Sequence, residues 1–253
     1  MTTGVTHKTF TPGADKISGE FFAPPLGKRK PAVLLFGGSE GGNSDVYDAA
    51  LLASHGYPAL SLAYFGATGL PSALHDIPLE YFARAARLLA AQPGVDPDHV
   101  AVQGCSRGTE AALLLAQHYP DVVHGVVVYL PSATVNPGFP DMRVNAWTDN
   151  GRPVAAWTIP LDHLSGPLLA LAGAQDRIWS SAASAHLITT ELDRSRFPHH
   201  ALIYPAAGHG VGTFPYLAAG GTASDEGGSE AGDALAKEQG WPKVLAFLAN
   251  IAH

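Results

Sequence analysis

Hydrophobic residues fall along this chain in short continuous runs, separated by longer stretches in which they recur at helical spacing. Residues 32–36, 59–63, 100–103, 126–130, 168–172 and 201–204 are apolar at nearly every position. Runs of that length without alternation suit strands buried on both faces, as in a parallel sheet covered by helices. Between them, 45–55, 78–91, 107–118, 181–192 and 233–251 carry the helical pattern. In 78–91, Leu79, Phe82, Ala86 and Leu89 share one face, and Arg84 and Arg87 lie off it. Pro78 suits a first helical turn and Asp76 a cap. Residues 5–10 and 17–22 read as strands joined by a turn over 11–15, whose Thr-Pro-Gly-Ala-Asp chemistry closes a hairpin. The pattern therefore predicts an α/β domain over 1–253. Its eight-stranded sheet is mostly parallel, the first two strands are antiparallel, and helices lie on both faces.

Two stretches fall outside this rhythm. Residues 131–166 are too long for an ordinary connection and lie where a lid or cap would cover the carboxyl end of the sheet. Residues 219–232, AGGTASDEGGSEAG, read as a polar Gly/Ser loop.

The candidate chemistry starts at Gly104-Cys105-Ser106-Arg107-Gly108, which follows a strand and opens a helix. Gly-x-Ser-x-Gly in that context is a nucleophile elbow, a turn so tight that side chains two residues either side of the serine would clash. Cys105 is the rival nucleophile, but its own neighbours at that distance are Gln103 and Arg107. Only Ser106 has the two-glycine frame. A serine hydroxyl needs a base, and the base needs an orienting carboxylate. His209 follows the last strand in Tyr204-Pro205-Ala206-Ala207-Gly208-His209-Gly210, with a glycine on each side. His199 and His200 precede that strand and belong at its other end. Asp176 follows the penultimate strand in Gly173-Ala174-Gln175-Asp176, between Ser106 and His209 in chain order. Asp162, the other carboxylate considered, precedes that strand. The glycine loop Gly37-Gly38-Ser39-Glu40-Gly41-Gly42 follows the third strand and fits neither common phosphate-loop spacing. It suits an oxyanion hole, with one backbone N–H from Ser39, or from Gly38 in the alternative register, and a second from Arg107. Glu40 reads as a solvated charge or a substrate contact. Phe139, Trp147 and Trp157 could line an apolar acyl pocket beneath 131–166, or simply anchor that segment.

These motifs, with the tail Gly240-Trp241-Pro242-Lys243-Val244-Leu245-Ala246-Phe247-Leu248, give the chain its resemblance. From about Phe21 onward it resembles the acyl-CoA thioesterases and bile acid-CoA:amino acid N-acyltransferases, a family of α/β-hydrolases related in fold to the dienelactone hydrolases. The resemblance implies the α/β-hydrolase fold and acyl transfer from a thioester through Ser106, Asp176 and His209. The amide-forming members and the dienelactone hydrolases carry cysteine at the elbow; serine here favours hydrolysis. A carboxylesterase, a lactone-forming or acyl-transferring biosynthetic enzyme, and a non-catalytic binding protein on the same fold are the other readings.

Composition narrows the partners. A net charge of −7 argues against nucleic acid. One cysteine can form no internal disulfide, and no apolar stretch approaches the ~20 residues that span a bilayer. The start has no signal-peptide pattern. The expectation is a soluble, cytoplasmic enzyme acting on a small acyl thioester or ester, with no cofactor and no metal.

Overall fold

The apolar runs are strands of one sheet, and each is covered on both sides. In the computed structural model, which describes residues 3–212 and 223–251, the order begins β1 (Thr6–Phe10), α1 (Pro12–Asp15), β2 (Ser18–Ala23), β3 (Lys30–Phe36), α2 (Val46–Ser54) and β4 (Ala59–Ala63). Then come β5 (Ile77–Pro78), α3 (Leu79–Ala90), β6 (Val95–Cys105), α4 (Arg107–His118), β7 (Gly125–Tyr129), β8 (Trp147–Asp149) and β9 (Arg152–Pro153). The chain ends with β10 (Leu168–Gly173), α5 (Ser181–Glu191), β11 (His199–Tyr204), α6 (Ala223–Glu226) and α7 (Glu230–Asn250). The main sheet has eight strands in the order β1-β2-β4-β3-β6-β7-β10-β11. The β1–β2 and β2–β4 pairs are antiparallel and the remaining pairs parallel.

Side-chain alternation along the central strands builds two cores. Leu34, Phe36, Val100, Val102, Val126 and Val128 face one side and meet Phe82 of α3, Leu113 of α4 and Ile188 of α5. Val33, Leu35, Ala101, Val127, Leu169 and Leu171 face the other and meet Leu52 of α2 and Val244 and Leu248 of α7. A strand apolar at every position is stable only between two such layers. Helix α7 begins at Glu230, three residues before the helical pattern does, because the Ser229 side chain accepts from Gly232 N at 3.0 Å and caps it. That places part of the expected 219–232 loop in α6 and α7, and its first residues lie outside the described residues. The turn expected at 11–15 contains one helical turn, with Pro12 at its start. Among the described residues no helix is long and apolar enough to cross a membrane.

Residues 131–166 form an irregular segment that leaves the carboxyl end of β7, runs past α3 and α4 and returns to the start of β10; along it His118 Nδ1 lies 3.0 Å from Asp149 Oδ2, and Gln117 Nε2 donates to Asp162 Oδ1 at 2.8 Å. β8 and β9 form a short hairpin and β8 pairs with β5, giving a second, three-stranded sheet. Trp147, expected to line a pocket, is instead a core residue. It is 0% exposed, its ring lies 6.0 Å from Phe82 and 5.8 Å from Tyr64, and its Nε1 donates to Glu110 Oε2 at 2.8 Å. Glu110 explains why a tryptophan is drawn inward there. This buried carboxylate also accepts from Asn136 N at 3.1 Å and Asn136 Nδ2 at 2.9 Å, and it pairs with Arg107 Nε at 2.8 Å. Arg107 Nη2 in turn donates to the carbonyls of Pro137 at 2.7 Å and Asn136 at 3.1 Å. Burial pushes the Glu110 carboxyl up, against the opposing pull of Arg107. Hydrogen bonds made by this one ion pair within α4 thus tie the helix after the elbow to residues 136, 137 and 147.

Removing one partner of such a pair strands a charge without solvent. Glu110→Ala is expected to lower stability by about 3–5 kcal/mol in urea unfolding. A loss below about 1 kcal/mol would mean that the pair does not hold the segment down.

Candidate active site

Ser106 stands between the last residue of β6 and the first of α4, with φ 51° and ψ −119°. A non-glycine residue in this region costs roughly 1–3 kcal/mol and persists only where its surroundings impose it. Here they do. A Cβ on Gly104 would lie 2.3 Å from the Gly108 carbonyl oxygen, and one on Gly108 would lie 2.4 Å from both the Phe36 and Gly37 oxygens. The elbow is pressed flat against the glycine loop, and neither glycine can carry a side chain. Ser106 N donates to Tyr129 O at 3.0 Å, which fixes the turn to the neighbouring strand.

The three residues expected to act together are brought together. His209 Nε2 lies 3.0 Å from Ser106 Oγ, and its Nδ1 lies 2.8 Å from Asp176 Oδ2. A carboxylate at Nδ1 keeps the proton there, so Nε2 faces the serine as an acceptor. The Asp176 side chain is buried, and its Oδ1 accepts from Ile178 N at 2.9 Å and Trp179 N at 3.3 Å. His209 is held from its backbone, with its N donating to Glu226 O at 3.0 Å. Gly208 N donates to Asp233 Oδ1 at 2.8 Å, and a Cβ on Gly208 would strike Gly227 O at 2.0 Å. Asp162 lies elsewhere, accepting from Gln117 Nε2 at 2.8 Å, and His199 and His200 begin β11 at its opposite end.

Gly38 of the glycine loop is pressed against the serine: a Cβ on it would lie 2.9 Å from Ser106 Cβ and 3.3 Å from Oγ. Ser39 follows it directly, and Arg107 is the first residue of α4, whose opening N–H groups have no helical acceptor. Glu40 is more than a solvated charge, because its Oε1 accepts from Gly38 N at 2.9 Å. Behind the loop, burial together with the charges of Asp48 and Glu40 pushes Asp45 up to about 7. Of the expected pocket residues, Phe139 is 44% exposed and Trp157 76% exposed, and Trp147 is in the core. Among the described residues, Trp179 is an aromatic that reaches the site. Its ring stands edge-on to His209 at 5.3 Å, and its Nε1 donates to Leu130 O at 3.1 Å. Its position three residues after Asp176 was the available signal. A cavity of about 920 Å³ lined by His124, Leu169, Phe197, His200 and Phe247 lies at the strands' amino ends, away from these residues.

Comparison with known proteins places the chain among relatives. The model of the family described as BAAT / Acyl-CoA thioester hydrolase C terminal matches residues 77–142 and 141–252. The mouse protein named acyl-coenzyme A amino acid N-acyltransferase 2 is 27% identical over 267 residues, covering 92% of this chain and 63% of its own. Mouse acyl-coenzyme A thioesterase 6 is 28% identical over 263 residues, covering 92% and 62%. The chain thus spans a little over three-fifths of the length of these curated relatives. Among solved structures, an α/β hydrolase from a deep-sea metagenome library superposes with TM-score 0.69 at 15% identity, covering 98% of both chains. A dienelactone hydrolase-like phosphotriesterase from metagenomic libraries does so with TM-score 0.66 at 19% identity, again covering 98% of both.

Cys105 sits beside the elbow, partly buried. Burial, with Asp45, Glu40 and Asp48 adding to it, pushes its thiol well above the usual range. A raised thiol has less thiolate at neutral pH, and the thiolate is the reactive form. Iodoacetamide is therefore expected to alkylate Cys105 at least tenfold more slowly in the folded protein than after unfolding. Equal rates would contradict the environment described.

Proposed function

The chain belongs to the BAAT / acyl-CoA thioester hydrolase C-terminal family, and on that premise we propose that it is a serine hydrolase cleaving an acyl thioester through an acyl-enzyme on Ser106. One observation carries the reading: an unbroken line of hydrogen bonds from Ser106 Oγ through His209 to a buried Asp176. His209 Nε2 takes the hydroxyl proton as Oγ attacks the thioester carbonyl. The resulting oxyanion is received by the N–H groups of Ser39 and Arg107. The protonated imidazole then gives its proton to the departing thiolate, and the acyl group remains on Ser106 as an ester. Asp176 holds the imidazole in the required tautomer and stabilises it while charged. Water, deprotonated by the same nitrogen, attacks the ester and releases the acid.

The whole of 1–253 serves as one hydrolase domain, with 131–166 as its cap. Trp179, in contact with the base, is the aromatic offered to an acyl group, with the exposed rings of Phe139 and Trp157 as further apolar surface of the cap. Transfer of the acyl group to an amine is a second reading, favoured by the carboxylates of Glu40, Asp45 and Asp48 near the elbow and by the name of the mouse N-acyltransferase. The nucleophile argues for water. A thioester acyl-enzyme on cysteine keeps its activation toward amines, whereas an oxygen ester on serine has lost much of it.

Incubation with acyl-CoA thioesters of varied chain length, with mass spectrometry of the products, tests the reading. Free acid and free CoA are expected in equal amounts, with no gain in turnover on adding glycine or taurine. Ser106→Ala should lose roughly 10⁴-fold or more in kcat while staying folded. An N-acyl amino acid as the main product would overturn hydrolysis, and near-wild-type turnover by Ser106→Ala would overturn the nucleophile.

A further inference from the structure

The glycine loop is held by a group that the proposed mechanism does not yet use. Tyr64, the residue after β4, is 3% exposed, and its ring packs against Phe65 at 5.0 Å and Phe82 at 5.2 Å. Its hydroxyl lies 2.8 Å from Gly37 O and 2.8 Å from Gly38 O, so one phenolic proton is shared by two successive carbonyls. Burial pushes the phenol well above its usual range, which keeps it a donor at any working pH.

Two successive carbonyls cannot meet at one point in an extended chain, where they alternate sides. The loop is therefore curled. In a trans peptide the N–H points away from its carbonyl, so the N–H groups of Gly38 and Ser39 both turn away from Tyr64. Successive N–H groups turned to one side form a concavity that binds anions. The chain already puts an anionic oxygen there, since Gly38 N donates to Glu40 Oε1 at 2.9 Å. Ser106 borders the same space: a Cβ on Gly38 would lie 2.9 Å from Glu40 Oε2 and 2.9 Å from Ser106 Cβ.

We propose that the Tyr64 hydroxyl is a positioning residue for the oxyanion hole, curling Gly37–Gly38 so that the Ser39 N–H is the loop's donor to the reacting oxygen. Glu40 occupies the Gly38 N–H, which decides the register between Gly38 and Ser39. The inference rests on the serine-hydrolase reading. Tyr64 touches no reacting atom; it acts through the peptide that it folds.

Tyr64→Phe keeps the packed ring and removes only the shared proton. Tyr81→Phe is the matched control, because the partly buried Tyr81 hydroxyl donates at 2.6 Å to Ala63 O, the carbonyl just before Tyr64. In steady-state assays on an acyl-CoA, Tyr64→Phe is expected to lower kcat roughly 10- to 1000-fold with KM changed less than about threefold. Affinity for an alkyl boronic acid, which forms a tetrahedral adduct on serine, should fall in parallel with kcat. Tyr81→Phe should keep kcat within about twofold. Equal kcat values for the two folded variants, or a Tyr64→Phe change confined to KM or melting temperature, would overturn the proposal. A crystal structure of the wild-type boronate adduct tests it without any variant. An adduct oxygen on Ser39 N, with Tyr64 still bonded to both carbonyls, supports it, and an oxygen on Gly38 N or a flipped Gly38–Ser39 peptide overturns it. A wild-type protein that is active on thioesters but forms no boronate adduct at Ser106 would remove the serine-hydrolase reading itself, a different failure.

Discussion

Three backbone segments meet at the end of β6 with no room for one added methyl group. Gly108 is packed onto the carbonyls of Phe36 and Gly37, and Gly104 onto the carbonyl of Gly108 itself. That close approach holds Ser106 at positive φ and aims its hydroxyl out of the turn. It also brings the glycine loop within contact of the serine, so the proposed nucleophile and the proposed oxyanion donors share one contact. A strained residue is maintained only by a rigid surround. The surround here is the centre of an eight-stranded sheet, with α2 and α7 on one side and α3, α4 and α5 on the other.

The same economy of space governs the other two members of the line. Gly173 at the end of β10 admits no side chain, because a Cβ there would lie 2.2 Å from Gly208 O. The loops carrying Asp176 and His209 are therefore pressed together as the elbow and the glycine loop are. Polar groups complete the arrangement. Asp233 of α7 takes the Gly208 N–H, and the buried Glu110 joins Arg107, Asn136 and Trp147 above the elbow helix. Each pairing satisfies a group that would be costly to bury alone.

What the amino-acid sequence disclosed follows from this physics. Runs buried on both faces are apolar throughout, so β3, β4, β7, β10 and the second half of β6 were legible, and β1 and β2 showed through the turn between them; so did glycines whose absence of a side chain is a steric requirement. Ser106 and His209 could be placed because each stands between glycines at a strand end, and Asp176 because it follows the penultimate strand between them in chain order. β5, β8 and β9, two or three residues each, are too short to show a period, and the polar Asp96–His99 stretch hid the first part of β6. Trp147 was misread because an indole can serve as a pocket wall or as a donor to a buried carboxylate. Only the position of Glu110, a charged residue on an all-buried helix face, distinguishes the two. The Tyr64 hydroxyl bonds only to backbone carbonyls, which no residue pattern records, whereas Trp179 was signalled only by its place three residues after Asp176.

The central claim is that the elbow makes Ser106 the nucleophile and that His209 activates it. Reaction of the wild-type protein with a fluorophosphonate, followed by peptide mapping, addresses it most directly. A single adduct on Ser106 is expected, formed rapidly at neutral pH and at least a hundredfold more slowly in His209→Ala. An adduct on Cys105 or elsewhere, or the same rate without His209, would contradict it.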